Sequence, residues 1–150
     1  MATRGLGVKR IVVGVDGSDA GKHALEWTAR LAKTVHADVV AVYAIDVPVA
    51  VPDPYAIPFY LDDKWRARIA SDFQNKWCRP LKTAAVRYRA IMEDGRPASV
   101  ILEVAEREKA DLVVVGRRGH GEVAELLLGS VSHEIALHSK LPVALVPKKA

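Results

Sequence analysis

The residues best suited to chemistry follow two apolar runs. Val115 leads into Gly116-Arg117-Arg118-Gly119-His120-Gly121, and Gly129-Ser130-Val131-Ser132 comes shortly after. Glycines accept positive φ and let the backbone approach an anion closely. A helix opening at Gly129 would offer unbonded N–H groups and the positive end of its dipole. Ser130 and Ser132 add hydroxyls. Together these make a phosphate cradle. The same residues also suit a plain turn capped by Ser130. The other candidate is Asp16, in Gly14-Val15-Asp16-Gly17-Ser18 after the first apolar run. A carboxylate at a strand end accepts hydrogen bonds from a ribose or holds Mg²⁺ beside phosphates. It also closes an Asx turn or caps a helix.

Other chemistries find no support. No G-x-x-x-x-G-K-[ST] loop occurs, and Gly14-Val15-Asp16-Gly17 does not extend to the dinucleotide fingerprint. No serine sits in a G-x-S-x-G elbow. His133 and His138 are five apart, which does not align them for a metal on a helix, and no metal site is expected. Trp27, Trp65 and Trp77 fall on apolar stripes and read as core. No residue is placed as a general base for an attacking water, so no catalytic residue is assigned.

Alternating strands and helices must hold these residues. Five β-rich runs are 10–15, 38–44, 86–91, 111–115 and 142–146. Four are nearly continuous Val, Ile, Leu and Ala, as in strands covered on both faces. The third alternates, with Arg87 and Arg89 on one side, and belongs at a sheet edge. Ser18 can cap a helix with the stripe Ala20, Ala24, Trp27, Leu31 and Val35. A second stripe is Trp65, Ile69, Phe73 and Trp77, which Pro80 should end or kink. A third helix begins at Pro97 and carries Val100, Ile101, Val104 and Ala105, with Glu103 and Arg107 spaced to pair on its outer face. A fourth runs from Gly129-Ser130 to about Ser139, and Pro142 opens the last strand. Strand–helix alternation with right-handed crossovers gives a parallel, doubly wound sheet. Ligands in such sheets bind at the carboxyl ends of the strands, where strand order reverses.

The 150 residues fit one domain, 1–150, with its core over about 9–147. The single Cys78 excludes an internal disulfide and fits a reducing compartment. The N-terminus lacks the apolar core of a signal peptide, and no run reaches the ~18 apolar residues of a spanning helix. A cytoplasmic protein without membrane contact is therefore expected. The net charge of +4 is spread along the chain without a basic cluster, so no nucleic-acid partner is expected. The stretch 46–61 holds four prolines and reads as a long loop of functional or mobile character.

In combination these segments resemble the ATP-binding universal stress proteins. Gly116-x-x-Gly119, nine residues, then Gly129-Ser130 is similar to their G-x2-G-x9-G-[S/T] signature. The segments Val12 to Ser18, Ala110 to Gly116 and Leu141 to Val146 resemble their first, fourth and closing strands, and Gly95-x-Pro97 fits their third helix start. The resemblance spans about Lys9 to Pro147. It implies a Rossmann-like three-layer α/β/α sandwich of the adenine nucleotide alpha-hydrolase-like kind, with a five-stranded parallel sheet of order 3-2-1-4-5. It implies ATP, or ADP, AMP or cyclic AMP, with Mg²⁺ accompanying the nucleotide. Asp16 would contact the ribose beside Gly14 and Val15, and Ala44 would meet the adenine through its backbone. Gly116 and Gly119 would line the ribose and phosphates. Gly129, Ser130, Val131 and Ser132 would hold the phosphates. A homodimer through the edge at Pro142 to Val146 is also implied. Many members carry a small polar residue before His or Arg between the first two signature glycines; here both residues are arginines, placed to strengthen anion binding or to face solvent.

The expected function is a nucleotide-binding stress-response or signalling module with slow or absent hydrolysis. A weak ATPase or nucleotide transferase centred on Asp16 and Mg²⁺ is one alternative. A partner-docking protein using the 46–61 loop is another.

Overall fold

The computed structural model describes residues 7–46, 55, 62–118 and 128–148. Five strands, β1 (Arg10–Gly14), β2 (Asp38–Ile45), β3 (Tyr88–Asp94), β4 (Leu112–Gly116) and β5 (Val143–Val146), form one parallel sheet of order β3-β2-β1-β4-β5. Its helices are α1 (Asp19–Val35), α2 (Asp63–Asp72), α3 (Arg79–Thr83), α4 (Pro97–Arg107) and α5 (Ser130–His138). A π-helical turn, Phe73–Trp77, joins α2 to the short α3. The strand order and the edge position of β3 are as the sequence implies.

The apolar strand runs are continuous because both faces of the sheet are covered. Ile11, Val13, Val39, Ala41 and Val114 enter a core with α1, Phe73 and Leu81. Val12, Val40, Val42, Val113 and Val115 enter a second core with α4 and Ile135. Each fully buried Val, Ile or Leu side chain contributes about 1.5–3 kcal/mol. In α4, Val100, Ile101, Val104 and Ala105 are all buried, as their spacing requires. Ser18 caps α1 by accepting from the Gly21 N–H at 3.1 Å. Among the described residues no helix is long and apolar enough to cross a membrane.

One local expectation is corrected and another is met. Arg107 bonds Glu93 on β3 rather than Glu103, because the edge strand supplies an acid beside the last turn of α4. Pro80 breaks the second helical stretch, which leaves helix at Cys78 as expected. It stands at the second position of α3, where a missing N–H costs nothing, and the chain re-enters helix at Arg79. Arg89 pairs with Glu108, and Arg66 forms a forked pair with Asp94 at 2.8 and 2.9 Å. All three pairs fasten β3 at the otherwise wet edge.

Cys78 is fully buried between the π turn and α3. Burial pushes its thiol from 9.0 up to about 11. An unfolded chain therefore loses this proton at lower pH than the folded one, and stability falls as pH rises from about 9 to about 11. The expected total is ~2 kcal/mol. Tyr43 and Tyr88, both raised chiefly by burial, act in the same direction. Urea unfolding of wild type and Cys78→Ala across this range checks the assignment. A shallower alkaline slope is expected in the variant, and equal slopes refute it.

A candidate nucleotide site at the tips of β1 and β4

The β1 and β4 strands are hydrogen-bonded neighbours, with Val13 opposite Val114. Their connections leave in opposite directions across the sheet, to β2 on one side and to β5 on the other. The Asp16 turn and the Gly116 turn therefore meet where strand order reverses, the place such sheets keep for ligands.

The β1–α1 turn is built around Asp16. Its Oδ1 accepts from the Ser18 N–H at 2.9 Å and from the Ser18 hydroxyl at 2.5 Å. Gly17 makes the turn with φ +77°, in the left-handed region. A Cβ there would also lie 2.6 Å from Cζ2 of Trp77. Val15 is buried, and its N–H donates to the Val42 carbonyl at 2.8 Å, tying the turn to β2. Ala44 lies beyond it near the end of β2, opposite Glu93 of β3.

The second half rests on a close approach. A Cβ on Gly116 would lie 3.0 Å from the carbonyl carbon and oxygen of Ala20. Only glycine lets the first turn of α1 sit directly over the tip of β4. Gly14 closes β1 on the opposite face, beneath Ile101. Arg117 donates its N–H to Val146 at 2.8 Å, and its carbonyl accepts from Gly129 N–H at 2.9 Å. This pins the start of α5 to the end of β4.

Gly129 is the N-cap of α5. The His133 N–H bonds the Gly129 carbonyl at 2.9 Å, so the N–H groups of Ser130, Val131 and Ser132 precede the first intrahelical bond. Ser130 is exposed and Val131 half-buried. Ser132 differs from its expected role. Its buried hydroxyl contacts the carbonyls of Gly116 at 2.7 Å and Arg117 at 2.9 Å. A hydroxyl has one proton, so it donates to one of these carbonyls at a time and fastens α5 to the end of β4. The Nε of Arg117 is buried without a hydrogen-bond partner among the described residues. A donor so placed is costly unless an acceptor arrives. Gly119, with His120 and the residues to 127, lies outside the described residues, as do most of 46–61.

Sequence reasoning missed two neighbours of the turn. Tyr43 lies close enough to Asp16 for that charge to add to the rise of its phenol pKa, which burial chiefly causes. Trp77 packs edge-on against Tyr43 with centroids 5.2 Å apart. Both residues face the α1-side core, so periodicity marked Trp77 only as core. The π turn that aims its ring at Gly17 carries no sequence signature. Among the described residues no group of three His, Cys, Asp or Glu is placed to hold a metal.

A five-stranded parallel sheet with helices on both faces, an acidic turn and a helix start at adjoining strand tips places the chain in the doubly wound α/β class. The chain belongs to the universal stress protein family, whose family model matches residues 7–147. It is 35% identical over 138 residues to a universal stress protein of Thermus aquaticus, covering 92% of this chain and 98% of that one. It is 32% identical over 140 residues to one from Methanocaldococcus jannaschii, covering 93% and 82%. Among solved structures, a universal stress protein in complex with cAMP superposes with a TM-score of 0.73 at 26% identity, over 95% of this chain and 99% of that one.

Proposed function

We propose that this protein binds an adenine nucleotide, ATP foremost, across the tips of β1 and β4, and serves as a nucleotide-dependent stress-response or signalling module. The observation that carries this reading is the juxtaposition of the Asp16 turn with the start of α5, held by the Ser132 and Arg117 contacts. The cAMP complex of a structural relative supports it.

In this reading Asp16 accepts the ribose hydroxyls, with Gly14 and Val15 forming the wall beside it. Backbone groups at Ala44 meet the adenine. Gly116 and Gly119 leave space for ribose and phosphates. The N–H groups of Ser130, Val131 and Ser132 face the phosphates, where helix dipole and donors act together. Arg117 and Arg118 add positive charge, and a phosphate oxygen would satisfy the buried Arg117 Nε. Mg²⁺ accompanies the nucleotide phosphates. Asp16 already accepts two bonds from Ser18, which suits a carboxylate that orients a ligand, and slow or absent hydrolysis follows.

The working unit is a single domain acting in the cytoplasm as a homodimer. In β5, Pro142 and Val146 turn their carbonyls toward β4, so Val143 and Leu145 present their peptide groups outward. Such an open edge favours pairing with a second copy. A solution mass of two chains by light scattering fits this assembly, and a strict monomer excludes it.

Calorimetric titration with ATP, ADP, AMP and cyclic AMP tests the nucleotide reading. Saturable heat with at least one of them is expected. At 100-fold excess over Kd the bound ligand adds about 2.7 kcal/mol of stability. Neither heat nor thermal shift with any of the four overturns the proposal. Mass spectrometry of small molecules released from freshly purified protein identifies the nucleotide that it carries.

A further inference from the structure

A groove of about 580 Å³ runs along the outer side of α1, between that helix and the π turn with α3. No residue of β4 or α5 lines it, and it meets the proposed nucleotide site only at its upper end, through Val15, Gly17 and Ser18 of the β1–α1 turn. Its volume falls within the ~300–1,000 Å³ range of small-molecule pockets. Half-buried Trp77, Pro80 and Ala84 supply its apolar surface, with buried Leu25 and Ala29 of α1 at its floor.

The charges around this lining are unbalanced. Lys22, Arg30, Lys76 and Arg79 stand at the groove with Asp19 and Glu26. Lys76 pairs with Asp72 at 3.1 Å, and Asp19 with Lys148 at 3.7 Å. Among the described residues this leaves Lys22, Arg30 and Arg79 facing only Glu26. All three are exposed, so they keep their hydration while awaiting a counter-ion. The π turn is the second observation. Such turns are rare and recur at functional sites. This one places Trp77 into the groove lining and against Gly17 at once.

We propose that this groove is a binding site for a small amphipathic anion. Its aromatic or acyl body lies against Trp77, Pro80 and Ala84, and its acidic head meets Arg30 and Arg79. The aromatic ring supplies contact area at low entropic cost. The arginines exclude neutral and cationic molecules of the same shape.

The probe is 8-anilinonaphthalene-1-sulfonate, titrated into the full chain with tryptophan excitation. Saturable emission with one probe per chain is expected, with energy transfer that falls in Trp77→Leu. The double variant Arg30→Glu/Arg79→Glu is expected to bind at least about tenfold more weakly at an unchanged melting temperature. The uncharged N-phenyl-1-naphthylamine is expected to bind more weakly than the sulfonate by a similar factor. Excess ATP is expected not to displace the probe. No saturable emission, equal affinity in the double variant, equal affinity for the neutral probe, or displacement by ATP each overturns the proposal. Displacement by ATP would sink the groove proposal while leaving the nucleotide reading standing, and the other results do not touch the nucleotide calorimetry, so the two readings fail separately.

Discussion

Asp16→Ala is expected to weaken nucleotide binding by about 10- to 100-fold, the range for losing hydrogen bonds to a charged acceptor. Two losses combine. The ribose loses the acceptor at the strand tip. The turn also loses the oxygen that accepts from the Ser18 N–H and hydroxyl. Ser18 in turn caps α1 through the Gly21 N–H, so the variant also frays the helix start. That structural share is a capping effect of about 1 kcal/mol. Asp16→Asn separates the two parts. It keeps an oxygen for the Ser18 N–H but removes the charge, so near-native thermal stability is expected with most of the affinity loss. Calorimetry on both variants, with melting curves alongside, reads the split. Native affinity in Asp16→Ala contradicts the ribose assignment outright.

Gly116→Val should produce the largest loss of stability. The added Cβ would meet the main-chain carbonyl of Ala20 at 3.0 Å, and two methyl groups would crowd further into α1. A flexible side chain could swing away from such a contact. A helix backbone can yield only by moving the whole first turn. Overpacking of this kind costs about 1–3 kcal/mol and sometimes more, and this site belongs at the upper end. For a chain of this length each kcal/mol shifts Tm by about 2–4 °C, so a fall near 10 °C is expected. Moving α1 also drags the Asp16 turn, so nucleotide affinity should fall at least about tenfold in protein that still folds. Scanning calorimetry and nucleotide titration on the same preparation check both. A melting temperature within a degree of wild type shows that α1 does not rest on the tip of β4.

The two variants probe the same seam from opposite sides. Asp16 belongs to the turn that enters α1, and Gly116 is the surface on which that turn rests. The start of α5 is joined to the seam through the Ser132 hydroxyl and the Gly129–Arg117 bond. Disturbance at any of the three points should reach the others, because each link is a direct contact, two through backbone and one through the Ser132 hydroxyl.

Much of this molecule was legible in its residues alone. The continuous Val/Ile runs encode strands buried on both faces, because each strand must feed two apolar cores. The pattern of β3 encodes an edge, since arginines on one side can only face water. Gly116 and the start at Gly129-Ser130 mark where backbone must approach something closely. Tertiary structure alone decided the rest. Side-chain hydroxyls such as Ser132 have equal claims on a phosphate and on a carbonyl, and only the position of β4 relative to α5 settles which is within reach. Arg107 could pair with Glu103 by spacing, but the neighbouring strand brings Glu93 nearer. The π turn depends on how Phe73 and Trp77 pack against Tyr43, a contact between segments about thirty residues apart. Local sequence specifies which groups are available and how often they recur along the chain. Which of them meet is fixed by long-range packing, which no local pattern encodes.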